Sequence, residues 1–250
     1  MVTSFEVIPA IDVLGGKCVR LTQGDYDRST VFYDDPADAA GEWTAAGAKT
    51  IHVVDLDGAK EGTPANLDAL RAIRAATRAT IQFGGGLRND AAVDLALESG
   101  ADRVVVGTAL LNDPDWVERL CQRLAAYVVA GIDARDGKVA AHGWLTTSDV
   151  TIADAIDRAN AIGVQRALFT DITKDGTLGG PNLDSLRAAV DQARFAVMAS
   201  GGVASIGDLD AIAATGAGAA IVGRALYSGR VSLREAIARF ADGEARSTAC

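Results

Sequence analysis

Short apolar runs alternate with amphipathic stretches along the whole chain, as expected for buried strands and surface helices. The predicted strands are Glu6–Ile11, Thr50–Val54, Thr80–Phe83, Arg103–Val106, Tyr127–Ile132, Arg166–Thr170, Phe195–Ala199 and Ala219–Val222. The predicted helices are Asp35–Ala46, Asn66–Ala76, Asp90–Ser99, Asp113–Ala125, Thr151–Ile162, Asn182–Gln192, Ile206–Thr215 and Ser232–Phe240. Strict alternation of strand and helix indicates βαβ units and a parallel sheet.

The number of these units favours a closed barrel. Eight strands and eight helices within 250 residues fit a closed ring better than an open doubly wound sheet. We therefore predict an α/β protein with a single (β/α)8 TIM barrel. No linker-like or low-complexity segment interrupts the pattern, so residues 1–250 are assigned to one domain. Residues 242–250 are predicted to form a polar, weakly ordered tail.

The second half of the chain repeats the first. At a constant offset of 116 positions, Asp55 and Asn66 correspond to Asp171 and Asn182. The same offset relates two sets of glycines, which are Gly85, Gly86 and Gly107 in one half and Gly201, Gly202 and Gly223 in the other. The repeat predicts two duplicated half-barrels, at about residues 1–126 and 127–241. A mouth built from two similar halves suits a ligand that carries similar groups at both ends.

Composition and charge narrow the class of partner. The chain is 49% hydrophobic, which supports a sizeable core and argues against disorder. A formal net charge of −9 disfavours nucleic acid and anionic membrane surfaces as partners, because both would repel the protein. No apolar run approaches the ~18 residues of a membrane helix, and the first residues lack a basic leader. We expect a cytoplasmic monomer that binds a small molecule.

Glycine turns follow four of the predicted strands. They are Gly84-Gly85-Gly86, Gly107-Thr108, Gly201-Gly202 and Gly223-Arg224, after the third, fourth, seventh and eighth strands. The carboxyl ends of the strands are where TIM barrels form their sites. Glycine lets backbone N–H groups turn toward an anion, and a short helix after it adds its positive end. The turns predict one phosphate-binding cradle in each half, with Arg88 and Arg224 as additional donors.

Two aspartates at opposed strand ends are the candidate acid and base. Asp12 and Asp133 follow the first and fifth apolar runs, which face each other across an eight-stranded barrel. Burying two carboxyl groups is costly without a partner or a function, and general acid–base catalysis needs one protonated and one ionised group. Asp55, Asp171 and Asp175 lie at or beyond the ends of the second and sixth strands. We interpret these three as structural, with Asp175 the strongest candidate for a further role.

Other polar and aromatic residues near the strand ends complete the candidate site. Thr170 ends the sixth strand, where its hydroxyl is placed to orient a substrate or a catalytic acid. Trp144 lies in the loop after the fifth strand and is suited to stack on a planar base. His52 lies within an apolar run and is interpreted as a hydrogen-bonded strand residue. The three cysteines and two histidines show no metal-ligand spacing, so no metal site is predicted.

Six motifs spread along the chain are specific in combination. They are Ile8–Asp12, Val19–Asp25, Gly84–Arg88, Gly143-Trp144, Thr170–Thr177 and Ser200–Val203, with the sequences IPAID, VRLTQGD, GGGLR, GW, TDITKDGT and SGGV. Together they resemble the phosphoribosyl isomerases of histidine biosynthesis over essentially the whole chain. The resemblance implies a TIM barrel without metal or cofactor, whose substrate is a ribotide with a phosphate at each end.

The resemblance also implies a reaction and a set of roles. The reaction is an Amadori rearrangement, an internal aldose-to-ketose shift of the phosphoribosyl-formimino-aminoimidazole-carboxamide ribotide. Asp133 is expected to protonate the ribose ring oxygen, and Asp12 to remove the proton from C2. The resemblance further assigns Arg20 as a substrate contact from the first loop and Thr170 as a helper. By the same likeness, Trp144 stacks on the imidazole.

Two alternatives remain open at this stage. Asp175 and its surroundings resemble bifunctional relatives that also isomerise phosphoribosylanthranilate for tryptophan synthesis. Those relatives usually carry Arg and Ser where this chain has His142 and Gly84, and a missing guanidinium would weaken recognition of the anthranilate carboxylate. We therefore favour the single-substrate enzyme. The other alternative is a barrel that only binds a bisphosphorylated metabolite, although both candidate catalytic aspartates are present.

Overall fold

Eight parallel strands close into a barrel in the computed structural model, which describes residues 5–241. The strands are β1 (Glu6–Leu14), β2 (Lys17–Thr22), β3 (Asp25–Tyr33), β4 (Thr50–Asp55), β5 (Thr80–Gly84), β6 (Arg103–Val106), β7 (Val128–Arg135), β8 (Lys138–Ala141), β9 (Thr146–Thr151), β10 (Arg166–Asp171), β11 (Ala196–Ser200) and β12 (Ala219–Val222). Parallel pairs join β1, β4, β5, β6, β7, β10, β11 and β12 in that order, and β12 pairs with β1. The predicted closed (β/α)8 barrel is confirmed. The predicted tail, residues 242–250, lies outside the described residues.

Helices cover the outside of the ring and connect its strands. Within residues 5–241 they are α1 (Pro36–Ala45), α2 (Leu56–Glu61), α3 (Leu67–Ala76), α4 (Asp90–Glu98), α5 (Thr108–Asn112), α6 (Pro114–Leu124), α7 (Ile152–Ile162), α8 (Leu183–Gln192), α9 (Ile206–Ala213), α10 (Arg224–Tyr227) and α11 (Leu233–Ala241). Several begin at a side chain that accepts a backbone N–H, as Asn89 does for α4 and Asp113 for α6. The short helices α5 and α10 directly follow the glycines Gly107 and Gly223.

The barrel strands are buried on both faces. One cluster fills the interior, and its members are Ile8, Ala10, Val129, Leu168, Met198, Ala219 and Ile221. The intervening residues point outward and pack under the helices, as Ile11, Val53 and Phe83 do. This alternation explains why the strands read as continuous apolar runs in the sequence. No helix within residues 5–241 has both the length and the apolar character needed to cross a membrane.

Two antiparallel hairpins extend the barrel at its carboxyl end. β1 continues into β2 and β3, and β7 continues into β8 and β9, with antiparallel pairing throughout. Both parent strands therefore run three residues beyond their predicted ends, Ile11 and Ile132. The sequence analysis placed loops here because β3 and β9 are mostly exposed and lack a continuous apolar run. At its other end β7 begins at Val128 rather than Tyr127, since Ala125–Tyr127 form a 3-10 turn.

The two halves contain the same aspartate–asparagine hydrogen bond, at positions 116 residues apart. The Asp55 carboxylate accepts a hydrogen bond from the Asn66 side-chain amide at 2.7 Å. The Asp171 carboxylate accepts the corresponding bond from Asn182 at 2.9 Å. In each case the aspartate ends a barrel strand and the asparagine precedes the next long helix. The division into half-barrels stays a prediction, and this repeated contact supports it.

Candidate active site

The carboxyl ends of the barrel strands surround one cavity, which we call the mouth. Every residue that the sequence analysis assigned to the site lines it, and these are Asp12, Arg20, Gly85, Gly86, Arg88, Gly107, Thr108, Asp133, Trp144, Thr170, Asp175, Gly201, Gly202, Gly223 and Arg224. The parallel arrangement brings them together, because the carboxyl ends of all eight barrel strands lie at the same rim. Their individual roles remain predictions.

Asp12 lies near the end of β1 and is paired with a buried arginine. Its Oδ2 atom is 2.8 Å from Nη1 of Arg20, which projects from β2. Both side chains are about nine-tenths buried. Burial raises the pKa of Asp12 to about 6, while Arg20 lowers it and the Asp175 carboxylate raises it further. Asp12 is therefore an acid whose ionisation falls close to neutral pH.

Asp133 lies near the end of β7, on the opposite side of the ring. Four strand steps separate β1 from β7 in either direction, so the two acids face each other across the mouth. Burial raises the pKa of Asp133. Hydrogen bonds from the Trp144 indole and the Thr170 hydroxyl oppose that shift, and Asp175 adds to it. Thr170 is the register neighbour of Asp133 on β10, which explains their proximity.

Arg20 lies between two carboxylates. Nη2 of Arg20 is 3.8 Å from Oδ1 of Asp175, in addition to its contact with Asp12. The pKa of Asp175 is raised by burial and lowered by Arg20 and Arg224. The resemblance placed Arg20 in a loop as a substrate contact, whereas the structure places it in strand β2 as a partner of the acids. Sequence reasoning missed this pairing because it placed Arg20 in a loop, whereas β2 folds back on β1 and brings Arg20 beside Asp12.

The first predicted cradle is built by the turns after β5 and β6. Gly85 and Gly86 adopt φ values of 118° and 75°, which favour glycine. A side chain on Gly85 would also collide with the backbone oxygen of Asp55. Gly107 precedes α5 without a side-chain cap, and the Thr108 hydroxyl accepts a hydrogen bond from the His142 backbone at 3.0 Å. The turn is thus tied to the loop that carries Trp144.

The second predicted cradle is built by the equivalent turns after β11 and β12. Gly201 and Gly202 adopt φ values of 97° and 87°, and Gly223 precedes α10 without a side-chain cap. Arg224 Nη1 donates to the Gly176 backbone oxygen at 2.5 Å and to Thr22 Oγ1 at 3.2 Å. Arg88 is held in a similar way, since its Nη2 atom donates to the Ala59 backbone oxygen at 3.2 Å. Both arginines predicted to assist the cradles thus donate to backbone oxygens.

The two hairpins meet above the mouth. Trp144, in the turn between β8 and β9, packs so closely on Gly24 that a side chain there would lie 2.5 Å from the indole. Trp144 itself adopts a φ of 67°, which is uncommon outside glycine. Gly143 lies beside the Tyr26 hydroxyl, and both line the mouth. The predicted stacking residue is therefore held over the mouth by contacts from the first hairpin.

His52 lies deeper in the mouth and is a strand residue with a hydrogen-bond partner, as predicted. Its Nδ1 is 3.0 Å from the amide nitrogen of Gln82 on the neighbouring strand. Burial, assisted by the positive charge of Arg20, lowers the pKa of His52 to about 4, so the imidazole is neutral at pH 7. The sequence analysis did not place His52 at the mouth. The two-residue periodicity of strands would have done so, since Ala10 is its register partner on β1 and faces the interior.

The aspartates after β4 and β10 serve the backbone, as predicted. The buried Asp55 carboxylate accepts backbone bonds from Gly58 at 2.8 Å, Ala65 at 2.7 Å and Asn66 at 2.8 Å. Asp171 accepts bonds from the backbone and hydroxyl of Thr173 at 2.9 and 2.6 Å. Both side chains shape the loops that border the cradles.

A closed parallel barrel whose mouth carries opposed carboxyl groups and glycine turns defines the chain as a TIM-barrel enzyme. The chain belongs to a family described as histidine biosynthesis protein, whose pattern matches residues 6–232. Family membership is consistent with the resemblance found in the motifs.

Curated relatives align along nearly the whole chain. A protein of Synechocystis sp. strain PCC 6803 is 46% identical over 241 residues, covering 95% of this chain and 94% of its own. A protein of Roseiflexus sp. strain RS-1 is 47% identical over 233 residues, covering 93% and 98%. Both are named 1-(5-phosphoribosyl)-5-((5-phosphoribosylamino)methylideneamino) imidazole-4-carboxamide isomerase.

Proposed function

We propose that this chain is an intramolecular oxidoreductase of histidine biosynthesis, an aldose-to-ketose isomerase that acts on the ribotide named for its relatives. The observation that carries the proposal is the mouth itself. Asp12 and Asp133 face each other across it, and a pair of glycine turns lies on either side. The substrate is a small molecule with two phosphoribosyl ends, which matches a mouth with two predicted anion cradles.

The order of the strands places these features crosswise. The cradles belong to β5 and β6 on one side of the ring and to β11 and β12 on the other. The acids belong to β1 and β7, which lie between the two cradles on opposite sides. A ligand that spans the cradles therefore has its central part flanked by both carboxyl groups. Anchoring both phosphates holds the reacting ribose in position and removes most of the orientational entropy cost from the chemical step.

The charges around the two acids support different roles for them. Asp12 has the Arg20 guanidinium 2.8 Å away, which favours its ionised form. Asp133 receives only neutral hydrogen-bond donors, Trp144 and Thr170, while burial favours its protonated form. We assign Asp133 as the general acid and Asp12 as the general base. Each proton transfer accounts for an acceleration of about 10²–10⁴-fold.

The proton transfers follow from these assignments. Asp133 donates its proton to the ribose ring oxygen while the lone pair of the nitrogen at C1 breaks the C1–O bond, which gives an open-chain protonated imine, C1=N. Asp12 then removes the proton from C2, and the electron pair of that C–H bond forms the C1=C2 double bond of an enol-amine. Asp12 returns a proton to C1 and the enol O–H proton passes to the Asp133 carboxylate, which gives the C2 ketone and restores both carboxyl groups. Thr170 orients the Asp133 carboxyl group, and Trp144 covers the imidazole-carboxamide ring.

Asp175 shares Arg20 with Asp12 and keeps that guanidinium within the mouth. Asp175 lies near Asp12, the proposed base, and resembles the acid that the bifunctional relatives are expected to use. The His142 ring, however, is bonded to Thr146 Oγ1 at 3.0 Å and lacks the two parallel donors with which a guanidinium would hold an anthranilate carboxylate. We propose that the histidine-pathway reaction is the principal activity, carried out without a cofactor by a cytoplasmic monomer that contacts neither nucleic acid nor membrane.

The purified protein tests this proposal directly. It should convert the formimino ribotide to a product that the next enzyme of the pathway, the cyclase, consumes with a measurable absorbance change. Asp12→Asn should lower turnover by ~10³-fold while ligand binding remains, because the amide cannot accept the C2 proton. Asp136→Asn is the matched control, since Asp136 is an exposed residue of the turn after β7 and Asn tolerates its φ of 51°.

Two results would count against the proposal. Near-normal turnover by Asp12→Asn would remove Asp12 as the base, and absence of turnover in the unmodified protein would reject the activity. Phosphoribosylanthranilate is assayed in parallel and should react far more slowly than the ribotide. Comparable rates on both substrates would show that His142 and Gly84 do not limit the enzyme to one reaction.

A further inference from the structure

Gly107 and Gly223 are equivalent positions with nearly the same backbone. Each directly follows a barrel strand and precedes a short helix, and they lie 116 residues apart in the repeat. Gly107 has φ −104° and ψ −80°, and Gly223 has φ −107° and ψ −99°. Neither φ is in the left-handed region, so a positive φ does not explain glycine at either place.

The space beside the two glycines is very different. A β-carbon on Gly107 would have the Gly131 backbone oxygen as its nearest neighbour, 3.6 Å away, which is an ordinary contact. A β-carbon on Gly223 would overlap the guanidinium of Arg20, with its Nη1 atom at 2.7 Å and its Cζ and Nη2 atoms closer still. The guanidinium therefore lies against the bare backbone of Gly223.

The Arg20 guanidinium has little room to move elsewhere without losing its partners. Its Nη1 atom is 2.8 Å from Asp12, and its Nη2 atom is 3.8 Å from Asp175. Its Nε atom is buried without a hydrogen-bond partner. A methyl group at Gly223 would displace the flexible end of a side chain rather than backbone, so we expect the fold to persist while Arg20 shifts away from Asp12.

We propose that Gly223 is a positioning residue for the proton-transfer step, because its missing side chain provides the space in which Arg20 holds Asp12 and Asp175. This rests on the proposed function, in which Asp12 is the base. Gly107 has no such role, so the two cradles of the duplicated barrel are not equivalent. The cradle with Gly107 only contacts the ligand, whereas the cradle with Gly223 also holds the Arg20 guanidinium beside Asp12.

The charged groups around Asp12 determine the direction of the effect. Arg20 faces it from β2 and Asp175 from the loop after β10, while Cys18 and Tyr227 on the other side are neutral at pH 7. Arg20 is the cation among these neighbours. If it shifts away, burial and Asp175 remain, and both favour protonated Asp12. A smaller fraction of the base is then ionised at neutral pH.

The test compares Gly223→Ala with Gly107→Ala in a double-mutant cycle with Arg20→Ala. Gly223→Ala should move the acid limb of the kcat/KM profile upward by about one unit or more, which lowers kcat/KM by at least about tenfold at pH 5 and about twofold at pH 7. Gly107→Ala should leave the limb in place and affect mainly KM. At pH 5 in the Arg20→Ala background, Gly223→Ala should cost no more than Gly107→Ala does, because Arg20, through which it acts on Asp12, is gone and only the effect on its cradle remains.

A substrate-free measurement separates this inference from the proposed function. In protein labelled with ¹³C at the aspartate carboxyls, Asp12 should titrate at higher pH in Gly223→Ala than in the unmodified protein and in Gly107→Ala. Additive losses in the cycle, or an unmoved Asp12 titration, would overturn the inference even if the ribotide is turned over. A shifted titration without any ribotide turnover would support the positioning of Arg20 and reject the proposed reaction.

The same cycle covers the case in which Gly223→Ala does not fold. If the methyl group destabilises the protein by colliding with Arg20, then Arg20→Ala/Gly223→Ala should fold and melt close to Arg20→Ala alone. Failure of that double variant to fold would show that Gly223 supports something other than Arg20, and it would contradict the inference.

Discussion

Asp12, the proposed base, shows how burial and an ion pair together set the pKa of a carboxyl group near neutral pH. Burial alone would keep it protonated, and Asp175 acts in the same direction. The Arg20 ion pair at 2.8 Å opposes both effects, and the resulting pKa is about 6. A base with this pKa is ionised at pH 7 and still accepts a proton readily, which is the range that general base catalysis favours.

The pKa of Asp12 predicts the acid side of the pH–rate profile. The base must be ionised, so kcat/KM should fall tenfold per unit as the pH drops below about 6. A profile that stays flat down to pH 5 would contradict the assignment. Substrate phosphates also titrate near pH 6. Binding of the product to Asp12→Asn over the same pH range therefore measures the phosphate contribution separately.

At the level of residues, the sequence predicted which side chains gather at the mouth but not how they pair. Asp12, Asp133 and the glycine turns were found because each follows an apolar run, and strand ends of one sense share a rim. The bridge from Arg20 to Asp12 and Asp175 was not predicted, because it depends on β2 folding back on β1 and on its partner β3, which is mostly exposed and shows no continuous apolar run. The interior position of His52 was predictable from strand alternation and was overlooked.

The loop after β4 shows how a single element is fixed around one buried charge. The Asp55 carboxylate accepts four hydrogen bonds, and three of them come from backbone N–H groups, of Gly58 within α2 and of Ala65 and Asn66 after it. Asn66, at the start of α3, supplies the fourth through Nδ2, and its Oδ1 accepts the Gly16 backbone N–H at 2.9 Å instead of capping that helix. This network fixes the turn on which Gly85 and Gly86 rest.

Removing that carboxylate should destabilise the whole fold. Asp55→Ala leaves several buried N–H groups without a partner, each at a cost of about 1–3 kcal/mol, so we expect a loss of at least ~3 kcal/mol. Urea unfolding followed by circular dichroism measures it. Asp57→Ala is the matched control, because Asp57 is more exposed and accepts only two bonds, from Gly15 and Asn66. Equal losses for both variants would contradict a special role for the buried charge.

The elements themselves were largely predictable, for an identifiable reason. Barrel strands are buried on both faces, so they appear as uninterrupted apolar runs, and the helices between them have amphipathic spacing. The β2–β3 and β8–β9 hairpins were missed because β2 and β8 are short and their partners, β3 and β9, are mostly exposed and lack a continuous apolar run. The short helix α2 was also missed, since its residues Leu56–Glu61 include a glycine and three charged side chains and show no helical periodicity.

The whole molecule combines two similar halves into one asymmetric site. Strand order places the predicted cradles opposite each other and the two acids crosswise between them. The two halves differ in the groups that surround the two acids. Asp12 has an arginine beside it, whereas Asp133 has an indole and a hydroxyl. In the proposed function, the repeated framework holds a ligand with two similar ends, and the differences let one acid donate a proton while the other accepts it.

The most direct test of this account is a crystal structure of the protein with the ribulosyl product bound. The account predicts one phosphate at the turns of Gly85 and Gly107 and the other at those of Gly201 and Gly223. The sugar carbons should lie between the carboxyl groups of Asp12 and Asp133. A product with only one phosphate held by a cradle, or with either carboxyl group turned away from the sugar, would contradict it.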